Sequence, residues 1–276
     1  MKILTLLRWT IRELAARATL YVLAGISTFM LLFAALAIGA DTAAEGMTIT
    51  FFGRPASPPV THEALADLAG KLEAGFAGGL FLGVVVFGVF GTAGVITDAL
   101  EKGTVDLYLS KPIARWQLLL GKYLGSVSVM FLNIVYFIGG LWLIVGVKVG
   151  VWNARFLLSA LLLTYVFAGL YAVVAFFGVV SRNVAIAIIA GILYVIVIAG
   201  PLEGRQTGLY LLSENAVYRG ILDGLYYLFP QIPAMESGAI RMISGEGLQA
   251  TPFVQSFFSA GGILALAAWL LHRKDF

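Results

Sequence analysis

Few side chains in this 276-residue sequence could do covalent chemistry, and their spacing argues against most of it. Cysteine is absent, which removes thiolate catalysis and thiolate metal sites together. His62 and His272 lie far apart, with no acidic partners arranged to complete a metal set. Ser27, Ser159 and Ser259 fall in apolar runs that hold no histidine to activate a hydroxyl. Gly121-Lys122 suggests the end of a phosphate-binding loop, but Trp116 stands where that loop needs its first glycine and Tyr123 where it needs a hydroxyl residue after the lysine. No catalytic residue, no metal site and no nucleotide site is therefore expected in this chain.

What remains is one dense run of charge, Asp98, Glu101, Lys102, Asp106, Lys111, Arg115 and Lys122, in an otherwise apolar sequence. At a bilayer centre each would cost roughly 2.5 to 3.5 kcal/mol, on the order of 20 kcal/mol together, so the segment must lie in water. Its signals are a short helix, a break at Gly103-Thr104, an apolar patch of Val105, Leu107, Tyr108 and Leu109, and then Ser110-Lys111-Pro112. Proline at 112 turns Lys111 away from helical angles, and a new helix can start just after it.

The elements that must position this loop are membrane spans. The chain is 60% hydrophobic and 12% charged, against about 25% charged in soluble domains. An all-helical integral membrane protein is expected, a single domain over residues 1–276 with spans near 20–40, 74–97, 123–147, 156–180, 184–202 and 253–271. Residues 1–19 have Leu4, Leu7, Ile11 and Leu14 on one helical face and Arg8 and Arg12 on another, the pattern of a helix lying along a membrane surface. After the first span, 41–73 is a polar connection with a helix expected from Thr61, where Leu65, Leu68 and Leu72 share a face and lead towards the second span. Gly79 and Gly83 form a small-xxx-small pair suited to close helix packing or to a dimer interface. Asn133, Tyr136, Thr164 and Tyr165 are polar residues inside spans, read as candidates for a translocation path or for hydrogen bonds between helices.

Six spans put both termini on one side. That side carries Lys2, Arg8, Arg12, Arg17, Lys102, Lys111, Arg115, Lys122, Arg182, Arg273 and Lys274, eleven of the 18 basic residues, but only five of the 15 acidic ones. By the positive-inside tendency the termini and the 98–122 loop are cytoplasmic and 203–252 is external. Within 203–252, Val217, Ile221, Leu225 and Leu228 recur at helical spacing among tyrosines, an amphipathic helix suited to the outer interface. None of the spans so drawn holds Lys, Arg, Asp or Glu, which disfavours proton relays and ion-coupled carriers.

Glu101-Lys102-Gly103-Thr104, Leu109-Ser110-Lys111-Pro112, Arg115 and Gly121-Lys122 closely resemble, in order and spacing, the loop between the second and third spans of type-2 ATP-binding-cassette permeases. The resemblance implies that 98–122 carries a coupling helix seated in a groove of a separate ATPase, with Glu101 the leading coupling residue and Asp98, Lys102, Gly103, Thr104, Asp106, Lys111, Pro112 and Arg115 around it. It implies an interfacial first helix, re-entrant external helices before the last span, and a permease dimer, of two copies or of one copy and a homologue, on two cytoplasmic ATPases. ATP and magnesium then belong to the partner ATPase, and this chain needs no cofactor and no nucleic acid. The expected function is the permease subunit of an exporter in a bacterial or archaeal plasma membrane. The first external loop is longer than in compact members of the family and leaves room for an external partner. The alternatives are a non-transporting membrane anchor or assembly subunit, and an ATP-independent channel or secondary carrier.

Overall fold

Helices in this chain begin and end where the sequence supplies caps. A computed structural model describes residues 2–16, 18–43, 46–55, 60–83, 87–101 and 114–273, with the side chains of all of these except 2–4, 16, 18, 19, 42, 43, 46, 62 and 63. In order the elements are α1 (Lys2–Ala16), α2 (Ala18–Ala37), β1 (Ile38–Ala43), β2 (Gly46–Phe51), β3 (Arg54–Pro55), α3 (His62–Gly83), α4 (Val89–Asp98), α5 (Arg115–Val149) and α6 (Ala154–Ser181). There follow α7 (Val184–Leu193), a π-helical turn (Tyr194–Ala199), α8 (Gly200–Glu203), a 3-10 turn (Leu209–Leu211), α9 (Ala216–Leu228), α10 (Ile232–Ile243) and α11 (Thr251–Arg273).

The caps are chemical. Asn153 accepts from the Arg155 N–H at the start of α6, Asn183 from Ala185 and Ile186 at the start of α7, and Asn215 from Val217 at the start of α9. Gly150 ends α5 at φ 77°, a left-handed conformation that glycine adopts without strain. Arg182, at φ 53°, makes the reversal between α6 and α7, so Ser181-Arg182-Asn183 is enough to join them. The π turn precedes Pro201, which has no N–H to donate to the preceding turn, and a Cβ on Gly200 would stand 3.3 Å from the Val195 carbonyl.

Among the described residues, five segments are long and apolar enough to cross a bilayer: Leu20–Ala37, α5, α6, Val184–Glu203 and α11. The protein is a multi-pass membrane protein, dominantly helical. The helix anticipated from Thr61 runs from His62 to Gly83 without a break, and α4 continues from Val89 to Asp98.

Helix α6 is the axis of the core. It touches α3, α4, α5, α7, α10 and α11, and Phe156, Phe167 and Tyr171 are fully buried. Tyr171 stacks on Phe167 (centroids 5.5 Å apart) and on Tyr123 of α5 (5.6 Å). Its hydroxyl lies 2.8 Å from the Thr92 carbonyl of α4 and 3.1 Å from Ser126 Oγ of α5, while the Tyr123 hydroxyl donates to the Ala168 carbonyl at 2.7 Å. Inside a bilayer no water competes for these groups, so each bond, worth about 0.6 kcal/mol on average, fixes helix register.

Two departures from the sequence expectation concern the outer loops. The first apolar run leaves helical geometry at Ala37, not Ala40, and enters a three-stranded antiparallel meander in which Ile38 faces Phe51 and Thr50 faces Pro55. The β-branched run Thr48-Ile49-Thr50 favours extended backbone, and Phe52-Gly53, at φ 50° and 74°, turn β2 into β3. Lys148 of α5 donates to the carbonyls of Ala35 and Ile38, satisfying the end of α2 as it gives way to strand. The stretch before α11 holds two helices, α9 and α10, of which the residue pattern had marked only α9, with Phe229-Pro230-Gln231 as the turn between them.

Candidate functional site

At one end of the bundle, the first helix, the end of α4, the start of α5 and the end of α11 converge. Helix α1 lies closely along α5 because two glycines permit it: a Cβ on Gly121 would stand 2.5 Å from Leu6 Cβ, and one on Gly125 2.5 Å from Thr10 Cβ. Leu6, Thr10 and Leu14 are the buried face of α1, shifted by one residue from the expected Leu7-Ile11 positions, and Leu14 packs with Val95 of α4 and Val129 of α5. Lys122 is buried and ion-paired with Glu13. The sequence reading put Lys122 in the aqueous loop on the cost of its charge; the Glu13 carboxylate removes that cost.

Of the loop residues proposed for coupling, Lys102, Gly103, Thr104, Asp106, Lys111 and Pro112 lie outside the described residues. Those at its two borders are described. Ala99 and Leu100 are buried, Leu100 N–H bonding back to the Thr97 carbonyl at 2.9 Å, so the exit of α4 is anchored while Asp98 is half-buried and Glu101 exposed. Arg115 does not stand out from the surface: its guanidinium donates to the carbonyls of Leu271 (3.0 Å) and His272 (3.2 Å), a cation capping the C-terminus of α11. Arg273, next to this cap, lies 4.0 Å over the Trp269 ring.

The residues proposed for packing and passage fall in two groups. Cβ atoms on Gly79 and Gly83 would meet nothing within 4 Å among the described residues, so the pair packs against none of the described helices. Instead the two glycines border a cavity of about 470 Å³ between α2, α3 and α5, lined also by Ser27, Met30, Phe87 and Asn133. Asn133 accepts from the Ser27 hydroxyl (3.2 Å), and the Tyr136 hydroxyl donates to that of Thr28 (2.9 Å), which itself donates to the Ala24 carbonyl, so both residues bind α5 to α2. Thr164 bonds back to the Ala160 carbonyl of its own helix, and the Tyr165 hydroxyl donates to the Phe253 carbonyl of α11. Asn133 alone of these four lines that cavity.

The opposite end is organised by α10, which the sequence reading did not find. From its end near Asn153 the helix runs down beside α3 and α6 to the Phe229-Pro230-Gln231 turn, where Pro230, Ile232 and Met235 pack over Gly169. Tyr194 donates to the Pro230 carbonyl at 2.5 Å, and the Gln231 N–H bonds Ser256 of α11 at 2.8 Å. At 1.5 Å per residue Gly169 is roughly 20 Å along α6 from Arg182, close to the middle of that helix. Helices α9 and α10 thus make a hairpin whose turn packs at mid-length of a candidate span.

Side chains tether this hairpin at its outer edge. Asn153 donates to Glu73 Oε2 (2.7 Å) and to the Ile243 carbonyl at the end of α10 (3.3 Å), besides capping α6. Glu73 is fully buried, and its Oε1 has no hydrogen-bond partner among the described residues. Desolvation outweighs the Asn153 bond and pushes this carboxyl up to about 7. On the α9 side, buried Arg205 bonds Asp223 at 2.8 Å and lies 3.6 Å over the Tyr226 ring. Together with the Tyr210 hydroxyl it holds the Asp223 carboxyl below its ordinary range. The sequence reading did not single out Asn153; its bonds to Glu73 and to the Ile243 carbonyl join positions remote in the chain.

A family model described as an ABC-2 family transporter protein matches residues 11–276. The chain belongs to that family. It is thus the membrane-embedded permease subunit of an ATP-binding-cassette transporter, of the kind that pairs with cytoplasmic ATPase subunits. No curated relative matches the sequence.

Proposed function

We propose that this ABC-2 permease is the membrane half of an exporter, working as a dimer of identical or homologous permeases on two ATPases that bind ATP and magnesium. Its six spans are α2, α3 with α4, α5, α6, α7 with α8, and α11, and the N-terminal helix lies at the cytoplasmic surface of a bacterial or archaeal plasma membrane. The loop 98–122 couples, and Glu101 leads the contact with the ATPase. The observation that carries this reading is the anchoring of both borders of the loop: Leu100 is buried at the exit of α4 and Arg115 is clamped to the end of α11. A push on residues between such borders passes into α4, α5 and α11 rather than being absorbed by slack chain. A small displacement there can tip a bistable interface between inward-facing and outward-facing arrangements.

The test is purification of the tagged chain in mild detergent from its host, with identification of what accompanies it and an assay of ATP hydrolysis. A stoichiometric ATPase whose hydrolysis is uncoupled from transport in Glu101→Arg is the expected result. Unchanged transport in that variant, or a clean preparation without ATPase, removes the coupling assignment.

A further inference from the structure

The apolar stretches drawn from the sequence as spans, near 20–40, 74–97, 123–147, 156–180, 184–202 and 253–271, hold no Lys, Arg, Asp or Glu, yet the fold carries a carboxylate towards bilayer depth by another route. Glu236 is on helix α10, one residue beyond Met235, whose side chain packs over Gly169. That puts it roughly 20 to 25 Å from the level of Arg182, within the hydrocarbon thickness of about 30 Å. It is half-buried and takes part in no hydrogen bond or ion pair among the described residues. Ile240, one turn along the same face, seats on Gly78 of α3, so Glu236 points into the region between α3 and α6. The nearest cation in sequence, Arg241, is turned to Ser237 and lies about 140° around the helix from it.

A half-buried carboxylate at this depth without a partner is costly, and no cation among the described residues is placed to relieve it. A cation from outside the chain would. The neighbours of Glu236 are apolar, with Ile232, Met235 and Ile240 on its own helix, so the cation that fits carries apolar surface around its charge. We propose that Glu236 is a recognition group for a positively charged, partly apolar cargo, a carboxylate that meets it as it passes the hairpin. The proposal rests on the permease reading for the word cargo and on geometry alone for binding.

The discriminating probes are tetraphenylphosphonium and tetraphenylborate, of nearly the same shape and opposite charge. Binding of each to the purified complex of permease and ATPase in lipid nanodiscs is measured against empty nanodiscs. The expected result is saturable tetraphenylphosphonium binding that weakens at least tenfold in Glu236→Gln and is largely kept in Glu236→Asp, with tetraphenylborate binding unchanged or improved in Glu236→Gln. Equal effects of Glu236→Gln on both ions, or no saturable tetraphenylphosphonium binding to the wild-type complex, overturn the proposal. If Glu236→Gln does not assemble, the wild-type comparison of the two ions decides alone. Loss of the ATPase on purification speaks against the permease coupling instead, because the binding measurement can be repeated on the chain by itself.

Discussion

The two ends of this permease hold their helices together by different means. At the end that gathers α1, α4, α5 and α11, contact is backbone-close: Gly121 and Gly125 seat Leu6 and Thr10, Lys122 is buried against Glu13, and Arg115 caps the last carbonyls of α11. At the hairpin end, α9 and α10 are held by side chains reaching across gaps: Asn153 to Glu73 and Ile243, Tyr194 to Pro230, Arg205 to Asp223. The first kind of joint transmits displacement, because closely packed small residues leave no room to slip. The second can be undone a few hydrogen bonds at a time, each worth on the order of 1 kcal/mol. Stiffness at one end and separable tethers at the other are what a driven gate requires.

The largest effect expected is at the stiff joint. Lys122→Ala leaves Glu13 without its buried cation and should cost about 2 to 4 kcal/mol, read as a loss of thermal stability of the purified chain. A cost below about 0.5 kcal/mol would put this joint in the class of the outer tethers and erase the contrast. Next is a paired test on glycines. Gly125→Leu drives a side chain into Thr10 and should destabilise by about 1 to 3 kcal/mol. Gly79→Ala meets open space and should leave the isolated chain unchanged or stabilise it by up to about 1 kcal/mol, so any loss it causes in cross-linked dimer reports a contact between chains. The smallest effect is a pH dependence at the tether. A Glu73 carboxyl raised from 4.5 to about 7 is protonated more readily in the folded protein than in the unfolded one, so its contribution to stability is full below 4.5 and is lost as pH rises towards 7. Melting temperatures across that window should fall with pH in the wild type and fall less in Glu73→Gln.

Much of the architecture was legible because the bilayer leaves few options. Apolar runs of span length and the helix from Thr61 into α3 followed from residue type and order. The strand pairing of 38–55 was hidden by charged residues and prolines that read as a polar connection, although Thr48-Ile49-Thr50 carried a β signal. Helix α10 was missed because Ile232–Ile243 is shorter than a span and mixes Glu236, Ser237 and Arg241 with its apolar residues. Its burial comes from docking on α6 and α3, a contact between distant parts of the chain.

The sequence by itself determined that the chain is a bundle of apolar helices with one charged loop, since a charge in hydrocarbon is costly wherever it occurs. Tertiary structure alone decided which charges escape that rule and how. Lys122 is buried because Glu13, 109 positions away, comes to meet it, and Glu236 is half-buried because α10 docks on α3 and α6. In both cases the deciding energy is an interaction, or the lack of one, between residues that only folding brings to the same place.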